Sequence, residues 1–499
     1  MSITETPPAP LRAHDRFFIG GEWIKPSSSS TIEVVDSVTE QLYFSVPEAQ
    51  AADMDLAIAA ARRAFDHGPW PRMTHRERSA YLVAIADQLD ARTPDYAQMW
   101  PRESGIVYSV GRAMTAGISG RYRYYAALAD TYPFEQPMTP APSPAPGGAF
   151  GLLVHEPVGV VGAIIPWNAP LSLIALKLAP ALLAGCTVVI KVSPEAPGAG
   201  YLMAEIAEQV GLPPGVVNMV TADREVSELL VRDPRVDKIA FTGSTAAGRK
   251  IGAICGGRIG RFTLELGGKS AAVVLDDADM DLAAATLANA ECLLTGQACV
   301  SLTRIVVPRG RHDEFADALA AAFSAVRVGD PFDPATQMGP LAMARQRDQV
   351  ERYIAKGIEE GARLLTGGGR PKHLNRGYYI EPTVFSGVDN RQVIAQEEIF
   401  GPVLSVIPAD SEAHAIDIAN DSIYGLNASV FTPDSARARA VAGRLRSGNV
   451  GHNNLRMDFT IGMGGYKQSG VGREGGIQGL LPYLEAKTIL LDEAPPNYR

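Results

Sequence analysis

Cys299 lies in the segment TGQACVSLTR, directly after an apolar, helix-like run. A cysteine thiolate attacks carbonyl carbons, whereas the neutral thiol does not. Gly296 and Gln297 precede it and indicate a loop rather than a helix face. Cys299 is therefore a candidate nucleophile for acyl chemistry, and a buried structural cysteine is the alternative for this residue taken alone.

Two other polar residues end apolar strands and could assist such a nucleophile. Glu265, in FTLELGGKS, is a carboxylate whose pKa apolar surroundings would raise, as a general base for water requires. Gly267 beside it would let a substrate or cofactor approach the backbone closely. Asn168, in IIPWNAP, could donate an amide N–H to an oxyanion. A solvated strand-end glutamate and a turn-forming asparagine are the alternatives.

Residues suited to a nucleotide follow other strands. Lys191 comes after the apolar run Thr187–Ile190, where a cation could reach a ribose or a phosphate. Gly243 and Ser244 begin GSTAAG, which opens a helix after a strand, so backbone N–H groups there could face a pyrophosphate. The segment is not the usual GxGxxG, and an ordinary strand-end lysine is the alternative for Lys191.

The elements that must position these residues alternate between strands and helices. Such alternation predicts crossover units on a parallel sheet, whose ligands bind beyond the carboxyl ends of the strands. Val158–Ile190 is apolar enough to span a bilayer, but its prolines and Lys177 indicate strand, turn, buried helix and strand instead. The predicted strands are Val158–Ile165, Thr187–Ile190, Val216–Val220 and Val236–Phe241, and the predicted helices are Leu171–Ala184 and Pro197–Val210.

A second alternating region follows a boundary near Arg261. Its composition predicts a second α/β domain, consistent with a 499-residue chain that needs two or three domains. The segment from Tyr132 to Gly151 is rich in Pro, Ala and Gly, which indicates a linker, and the alternating Thr488–Leu491 could form an edge strand. The predicted strands are Ala271–Leu275, Arg304–Val307, Val403–Ile407 and Ser429–Phe431, and the helices Met280–Leu294, Phe315–Phe323, Arg345–Glu360 and Ala413–Asn420.

Composition limits the classes of binding partner and the cellular compartment that fit the chain. A formal net charge of -9 argues against a nucleic-acid-binding surface. The four cysteines show no CxxC pairing, which favours a reducing, cytoplasmic setting. We expect no metal site, no membrane association and a small-molecule substrate.

Seven elements in a fixed order strengthen these separate indications: PWN, the strand-end lysine, FTGST, ELGGK, GQxC, EEIFGP and GGYKQSGxGRE. Together they make the chain resemble the aldehyde dehydrogenase superfamily from FIGGEW to GGYKQSGVGRE. The resemblance implies an α/β fold with a Rossmann-like, parallel-sheet NAD(P)-binding domain (1–131 and 152–261) and a second α/β catalytic domain (262–480). It also implies a small β oligomerisation hairpin (132–151 with 481–499) and a homodimer or homotetramer.

The resemblance also implies roles. Cys299 would be the nucleophile, Glu265 the general base and Asn168 the oxyanion donor, with Lys177 in support. The implied reaction oxidises an aldehyde to a carboxylic acid with NAD(P) through a thiohemiacetal and a thioester. The residues that would bind the cofactor are Ile164, Pro166, Trp167, Lys191, Glu195, Gly243, Ser244, Gly267, Glu398 and Phe400.

The chain departs from the family pattern near Lys191. Pro194 stands where many members have a glutamate that holds the adenosine ribose, and the acid is displaced to Glu195. We expect NAD ahead of NADP.

Other departures concern the pocket. Aromatic residues that are frequent in the family are replaced at Ala169, Leu176 and Gly462-Met463, which predicts a roomier, aliphatic tunnel for bulky aldehydes. Arg456 could recognise an anionic substrate tail or be a solvated loop residue.

Two rival functions remain. A CoA-acylating semialdehyde dehydrogenase would pass the acyl group to CoA instead of water, but that branch generally lacks the glutamate present here as Glu265. A non-catalytic relative would keep the fold alone, and Cys299, Glu265 and Asn168 argue against it.

Overall fold

The computed structural model describes residues 7–140 and 150–498; positions 1–6, 141–149 and 499 lie outside the described residues. The strands are β1 (Phe17–Ile19), β2 (Glu22–Ile24), β3 (Thr31–Val35), β4 (Leu42–Pro47), β5 (Glu135–Met138), β6 (Phe150–Pro157), β7 (Val160–Ile164), β8 (Thr187–Val192), β9 (Val217–Thr221), β10 (Lys238–Thr242), β11 (Arg261–Glu265), β12 (Ala271–Val274), β13 (Arg304–Pro308), β14 (Arg363–Thr366), β15 (Thr383–Ser386), β16 (Val403–Ala409), β17 (Asn427–Phe431), β18 (Asn449–His452), β19 (Gly470–Val471) and β20 (Leu484–Leu491).

The helices carry α labels in chain order. They are α1 (Ala51–His67), α2 (His75–Ser104), α3 (Tyr108–Ala116), α4 (Ser119–Thr131), α5 (Pro170–Ala184), α6 (Gly198–Gln209), α7 (Arg224–Arg232), α8 (Thr245–Gly257), α9 (Met280–Cys292), α10 (His312–Ser324), α11 (Ala344–Glu359), α12 (Val393–Gln396), α13 (Glu412–Asn420), α14 (Ser435–Ala442) and α15 (Gly476–Leu480).

The first sheet has the order β19-β11-β10-β7-β8-β9-β1-β2. Its central strands β11, β10, β7, β8 and β9 are parallel, and the strands beyond them at both edges are antiparallel. Strands β7 and β8 are buried along their whole length, since helices cover both faces of the sheet. The predicted strand, buried helix and strand between positions 158 and 190 are thus confirmed as β7, α5 and β8.

The second sheet has the order β14-β15-β16-β13-β12-β17-β18, and only the β14–β15 pair is antiparallel. The helices α9, α10, α11 and α13 pack around it over two apolar clusters. The predicted fold class, two α/β units with parallel sheets and a small antiparallel element, is confirmed.

The antiparallel element has the strand order β20-β6-β5. Strand β20 pairs with β6 over eight residues, from Leu484 opposite Pro157 to Leu491 opposite Phe150. Interpreting the segment from Tyr132 to Gly151 as a linker, on composition alone, was therefore wrong at both ends, because β5 and the start of β6 are strands. The centre of that segment, 141–149, lies outside the described residues.

Two local expectations need correction. We expected Lys191 to follow a strand, but β8 continues to Val192 and Lys191 lies within it. We expected one helix from Met280 to Leu294, but α9 ends at Cys292, because Leu294 and Thr295 adopt left-handed backbone angles.

The boundary that we placed near Arg261 falls at the first residue of β11, which hydrogen-bonds to β10 in the first sheet. Strand β19, far along the chain, also joins that sheet through β11. The assignment of cofactor binding and catalysis to separate domains stays a prediction. Within 7–140 and 150–498, no helix combines the length and the hydropathy required to cross a bilayer.

Candidate active site

The carboxyl ends of the parallel strands bring the predicted residues to one edge of the first sheet. Asn168 follows β7, Lys191 is near the end of β8, Gly243 follows β10 and Glu265 ends β11. The backbone locks these ends together, since the Gly243 N–H donates to the Glu265 carbonyl over 3.0 Å. The topology therefore gathers residues that are distant in sequence, as expected for ligand sites on such sheets.

Cys299 is carried by an irregular loop between α9 and β13. Leu294, Thr295 and Gly296 have φ angles of 53°, 55° and 69°, so three consecutive residues lie in the left-handed region. The Gln297 side chain holds this turn: its amide nitrogen donates to the carbonyls of Ser104 (3.0 Å) and Leu294 (2.9 Å). The glutamine of GQxC is thus a structural support for the cysteine loop, a role that the sequence did not reveal.

The two glycines of ELGGK make room for the cysteine loop and for Glu398. A Cβ atom on Gly268 would lie 2.2 Å from the Cys299 carbonyl oxygen, and one on Gly267 would lie 2.3 Å from Glu398 Oε2. The Gly268 N–H donates to Glu398 Oε1 over 2.9 Å. Only glycine permits this approach, which places Cys299 and Glu398 on either side of the same turn.

The surroundings of Cys299 keep its sulfur protonated. Burial, reinforced by the negative charges of Glu398 and Glu265, raises the pKa of the Cys299 thiol to about 12. The thiol needs a proton acceptor before it can attack, because only the thiolate is nucleophilic.

Asn168 is buried beside this loop. Its Nδ2 donates to the Gln297 carbonyl over 2.9 Å, and its own carbonyl accepts from Trp100 Nε1 over 2.9 Å. An amide nitrogen carries two hydrogens, so one N–H remains for an additional acceptor. The contacts fix the amide in place next to the cysteine loop.

Glu265 is 4% exposed, and within the described residues neither of its carboxylate oxygens has a hydrogen-bond partner. Burial and the nearby Glu474 carboxylate raise the pKa of Glu265 well above its usual range. One oxygen faces Gly464, where an added Cβ would lie 2.6 Å away. A buried carboxylate with free oxygens and a raised pKa has the properties of a general base for water.

Lys177 lies under this carboxylate and is completely buried. Its Nζ donates to Thr242 Oγ1 and to Glu474 Oε1, each over 2.6 Å. Glu474 is the last residue of GGYKQSGVGRE, a motif that we used for recognition without giving this glutamate a role. The sequence marks Glu474 only as an acid that ends a glycine-rich run. The neighbouring residues do not indicate that it is buried, at 1% exposure.

Lys191 and Glu195, the residues expected near an adenosine ribose, lie close together. Burial lowers the pKa of Lys191 to about 8, although Glu195 and Asp223 oppose the shift. Burial alone would raise the pKa of Glu195, but the Ser193 hydroxyl and the Arg345 guanidinium, both hydrogen-bonded to it, outweigh burial and lower it. Glu195 is therefore a charged acceptor beside a cation.

Two aromatic rings form a wall where the segment after β7 meets the turn before β16. The rings of Trp167 and Phe400 meet edge to face, with centroids 5.3 Å apart. Phe400 has a φ of 59°, and Gln346 Nε2 holds that turn by donating to its carbonyl over 2.8 Å. Ile164 ends β7, opposite Lys191 of β8, and Pro166 lies between Ile164 and Trp167.

Helix α8 begins directly after Gly243. The Ser244 side chain accepts from the Ala247 N–H and caps the helix, whose first N–H groups and dipole face the strand ends. A cation, a helix N-terminus, two carboxylates and an aromatic wall make a donor and acceptor set that fits a dinucleotide. Among the described residues, no cluster of three or more His, Cys, Asp or Glu side chains could hold a metal ion.

Two arginines bear on the pocket, one that the sequence singled out and one that it did not. Arg456 is exposed and donates from Nε to the His452 carbonyl over 2.9 Å, which agrees with the solvated alternative. Arg121 of α4 instead reaches the first turn of α5, near Asn168, and donates to Ser172. Nothing in the sequence indicates this contact, because an arginine on a polar helix usually faces solvent.

Comparison with known proteins agrees with this arrangement. Residues 23–489 match the model of the aldehyde dehydrogenase family. The chain is 45% identical to a geranial dehydrogenase from Castellaniella defragrans over 479 residues, covering 96% of this chain and 99% of that protein. It is 40% identical over 485 residues to a 3-succinoylsemialdehyde-pyridine dehydrogenase from a Pseudomonas species, covering 96% of this chain and 99% of the relative.

Solved structures show the same similarity. An aldehyde dehydrogenase from Mycobacterium tuberculosis, complexed with NAD+, aligns with a TM-score of 0.93 at 45% identity, covering 96% of this chain and 98% of that chain. A mutant of aldehyde dehydrogenase C from Pseudomonas syringae, in complex with NAD+ and octanal, aligns with a TM-score of 0.92 at 38% identity, covering 97% and 98%.

Proposed function

The chain belongs to the aldehyde dehydrogenase family, and we propose that it oxidises an aldehyde to a carboxylic acid, with NAD as the oxidant and Cys299 as the covalent nucleophile. The observation that carries this proposal is the Glu265 carboxylate, buried beside the cysteine loop with both oxygens unbonded among the described residues. A carboxylate is costly to bury without a hydrogen bond, and groups perturbed in this way cluster at functional sites.

The first step forms a carbon–sulfur bond. Cys299 gives up its proton, for which the free Glu265 oxygens are an acceptor, and the sulfur adds to the aldehyde carbon. The remaining N–H of Asn168 stabilises the oxyanion of the thiohemiacetal where its charge develops. NAD, when bound, supplies the acceptor for the hydride that leaves this carbon.

The second step breaks that bond. Once Glu265 has released the thiol proton to solvent, its carboxylate takes a proton from a water that attacks the thioester carbon. The sulfur leaves as the Cys299 thiolate, and the carboxylic acid forms. Lys177 and Glu474 set the charge around Glu265: the ammonium favours its ionised form and the carboxylate opposes it. The presence of Glu265 supports hydrolysis over acyl transfer to CoA.

NAD would be held by the residues at the strand ends. The N-terminus of α8, with Gly243 and Ser244, would hold the pyrophosphate, Lys191 and Glu195 would hold the adenosine ribose, and Glu398 would hold the other ribose. The remaining wall consists of Ile164, Pro166, Trp167, Gly267 and Phe400. The NAD+ complexes of the similar M. tuberculosis and P. syringae enzymes support this assignment.

We place the aldehyde on the other side of Cys299, against half-buried Ala169, Leu173 and Ala298. The small and aliphatic side chains support a substrate with a bulky or branched aliphatic body. The names of the similar geranial dehydrogenase and of the octanal complex are consistent with such substrates.

We also propose a cytoplasmic homodimer or homotetramer. The four cysteines are free thiols, as in a reducing compartment. Strands β5 and β20 form open edges of their sheet and carry exposed apolar residues, among them Met138 and Leu490, which supports pairing with another copy.

The test mixes the protein, NAD and an aliphatic aldehyde, and follows the absorbance of NADH. We expect NADH and carboxylic acid in equal amounts and no acyl-CoA when CoA is added. Cys299→Ser should lose turnover and keep NAD binding, whereas Cys186→Ala, a buried cysteine elsewhere, should retain both. A Cys299→Ser enzyme with normal turnover would refute the covalent mechanism.

A further inference from the structure

Arg121 extends from α4 to the first turn of α5. Its Nη1 donates to the Ser172 carbonyl over 2.9 Å and to the Ser172 hydroxyl over 2.6 Å. The ring of Phe459 covers the guanidinium, with 4.0 Å between the carbon of that group and the ring centroid. The head group is therefore clamped between the first turn of α5 and the loop that carries Phe459.

Both contacts of Arg121 lie close to the proposed reaction centre. Ser172 is four residues beyond Asn168 and lies in the first turn of α5. Phe459 lies in the loop that leads to Gly464, which adjoins the Glu265 carboxylate. The guanidinium therefore contacts the first turn of α5, which carries Leu173 and follows Ala169, two of the residues against which we place the aldehyde.

The charge of Arg121 is not paired. Within the described chain no carboxylate forms a salt bridge with it, and its Nε and Nη2 groups have no hydrogen-bond partner. Burial lowers the pKa of Arg121 to about 10, which still leaves it charged at neutral pH. A half-buried guanidinium with two free donor groups in a fork matches a carboxylate in charge and in geometry.

We propose that Arg121 determines substrate specificity by binding a carboxylate at the end of the substrate opposite to the aldehyde. The substrate class is then an aldehyde acid with an aliphatic spacer, rather than a plain alkyl aldehyde. This inference rests on the proposed function, because it assumes that the carbonyl lies at Cys299. It assigns to Arg121 the recognition that the sequence had suggested for Arg456.

The experiment compares matched pairs of substrates on the full-length enzyme with NAD. Succinic, adipic and suberic semialdehydes are each measured against butanal, hexanal and octanal, and the ratio of kcat/KM values within a pair is the readout. In the wild type we expect at least one acid to be preferred. In Arg121→Met the ratio for that pair should fall about thirtyfold, the usual effect of removing one partner of a buried charge pair, and Arg121→Lys should restore part of it.

Arg123→Met is the matched control, because Arg123 is two residues away on the same helix but exposed and bonded to Asp87 and Asp90. Its ratio should equal that of the wild type. A wild type that prefers the alkyl aldehyde in every pair, or an Arg121→Met ratio within about twofold of wild type, would overturn the proposal. If Arg121→Met does not fold, the wild-type ratios alone decide. An enzyme that oxidises none of the aldehydes would instead contradict the proposed function.

Discussion

Lys177 and Glu474 are 297 residues apart in the chain and form an ion pair of 2.6 Å, with side chains 0% and 2% exposed. The pair lies next to Glu265. Burial raises the pKa of Glu265, and the charge of Glu474 raises it further. Burying two charges costs desolvation free energy that their mutual attraction barely offsets. A contribution to stability alone therefore does not explain this ion pair. Its position suggests control of the Glu265 charge.

Glu474→Gln should therefore move the acidic limb of the kcat–pH profile to lower pH. Glu265 must be ionised to take a proton from water, so activity rises as pH passes its pKa, and removing the neighbouring negative charge lowers that pKa. Glu205→Gln is the control, because Glu205 is equally buried and pairs with Arg92 over 3.0 Å far from Cys299. An acidic limb in the same place for Glu474→Gln and wild type would contradict the argument.

Glu265→Gln should separate the two chemical steps. We expect steady turnover to fall by about two to four orders of magnitude, the usual contribution of a general base. One equivalent of NADH should still appear, slowly, and mass spectrometry should find an acyl group on Cys299. Glu205→Gln is the control, because that carboxylate is also buried and pairs instead with Arg92 over 3.0 Å. Full turnover in Glu265→Gln would assign the water-activating role to another residue.

Iodoacetamide should alkylate Cys299 of the free enzyme slowly. With the thiol pKa raised to about 12, the iodoacetamide reaction should rise about tenfold per pH unit from pH 7 to pH 9 without a plateau. Glu398→Gln should speed it, since the charge of Glu398 adds to the shift, whereas Glu397→Gln, an exposed neighbour bonded to Tyr353, should not. A plateau near neutral pH would mean that the free enzyme already holds a thiolate.

The convergence of Asn168, Lys191, Gly243 and Glu265 was predictable because it follows from topology. Parallel strands place their carboxyl ends at one edge, so residues that follow successive strands meet whatever the details of packing. The fold class and the strand–helix–strand unit around α5 were predictable for the same reason, from alternation and prolines.

The supporting residues were not predictable, because their roles depend on contacts across the whole chain. Gln297 looks like a loop residue and Arg121 like a surface arginine until α2, α4 and α5 are packed. Leu294 and Thr295 continue the apolar pattern of α9, and only the close approach of Gly296 to Gly401 shows why the helix stops. Local propensity cannot report a conformation that distant backbone imposes.

Glu195 should control the choice between NAD and NADP. Its carboxylate is held by Ser193 and Arg345 beside Lys191, and it would repel a ribose 2′-phosphate. Glu195→Gln should raise the ratio of kcat/KM for NADP over NAD by about tenfold, since removing a repulsive charge relaxes discrimination. Glu351→Gln, a half-buried glutamate paired with Arg370, should leave the ratio unchanged. An unaltered ratio in Glu195→Gln would place the 2′-hydroxyl elsewhere.

Gly268→Ala should abolish activity through the backbone rather than through any reacting group. The added Cβ would lie 2.2 Å from the Cys299 carbonyl oxygen, which is backbone and cannot swing aside, so the cysteine loop must move. A displacement of about 1 Å at a reacting atom costs roughly two orders of magnitude in rate. We expect kcat to fall by at least that factor and the melting temperature to drop.

Gly256→Ala supplies the contrast, because a Cβ there meets nothing within 4 Å inside α8. Alanine favours a helix over glycine by up to about 1 kcal/mol, so this variant should keep its activity and melt at an equal or higher temperature. Steady-state rates and thermal unfolding of the two variants together separate a displaced loop from general damage. If Gly268→Ala turned over at the wild-type rate, Cys299 would not depend on the close approach of these two chain segments.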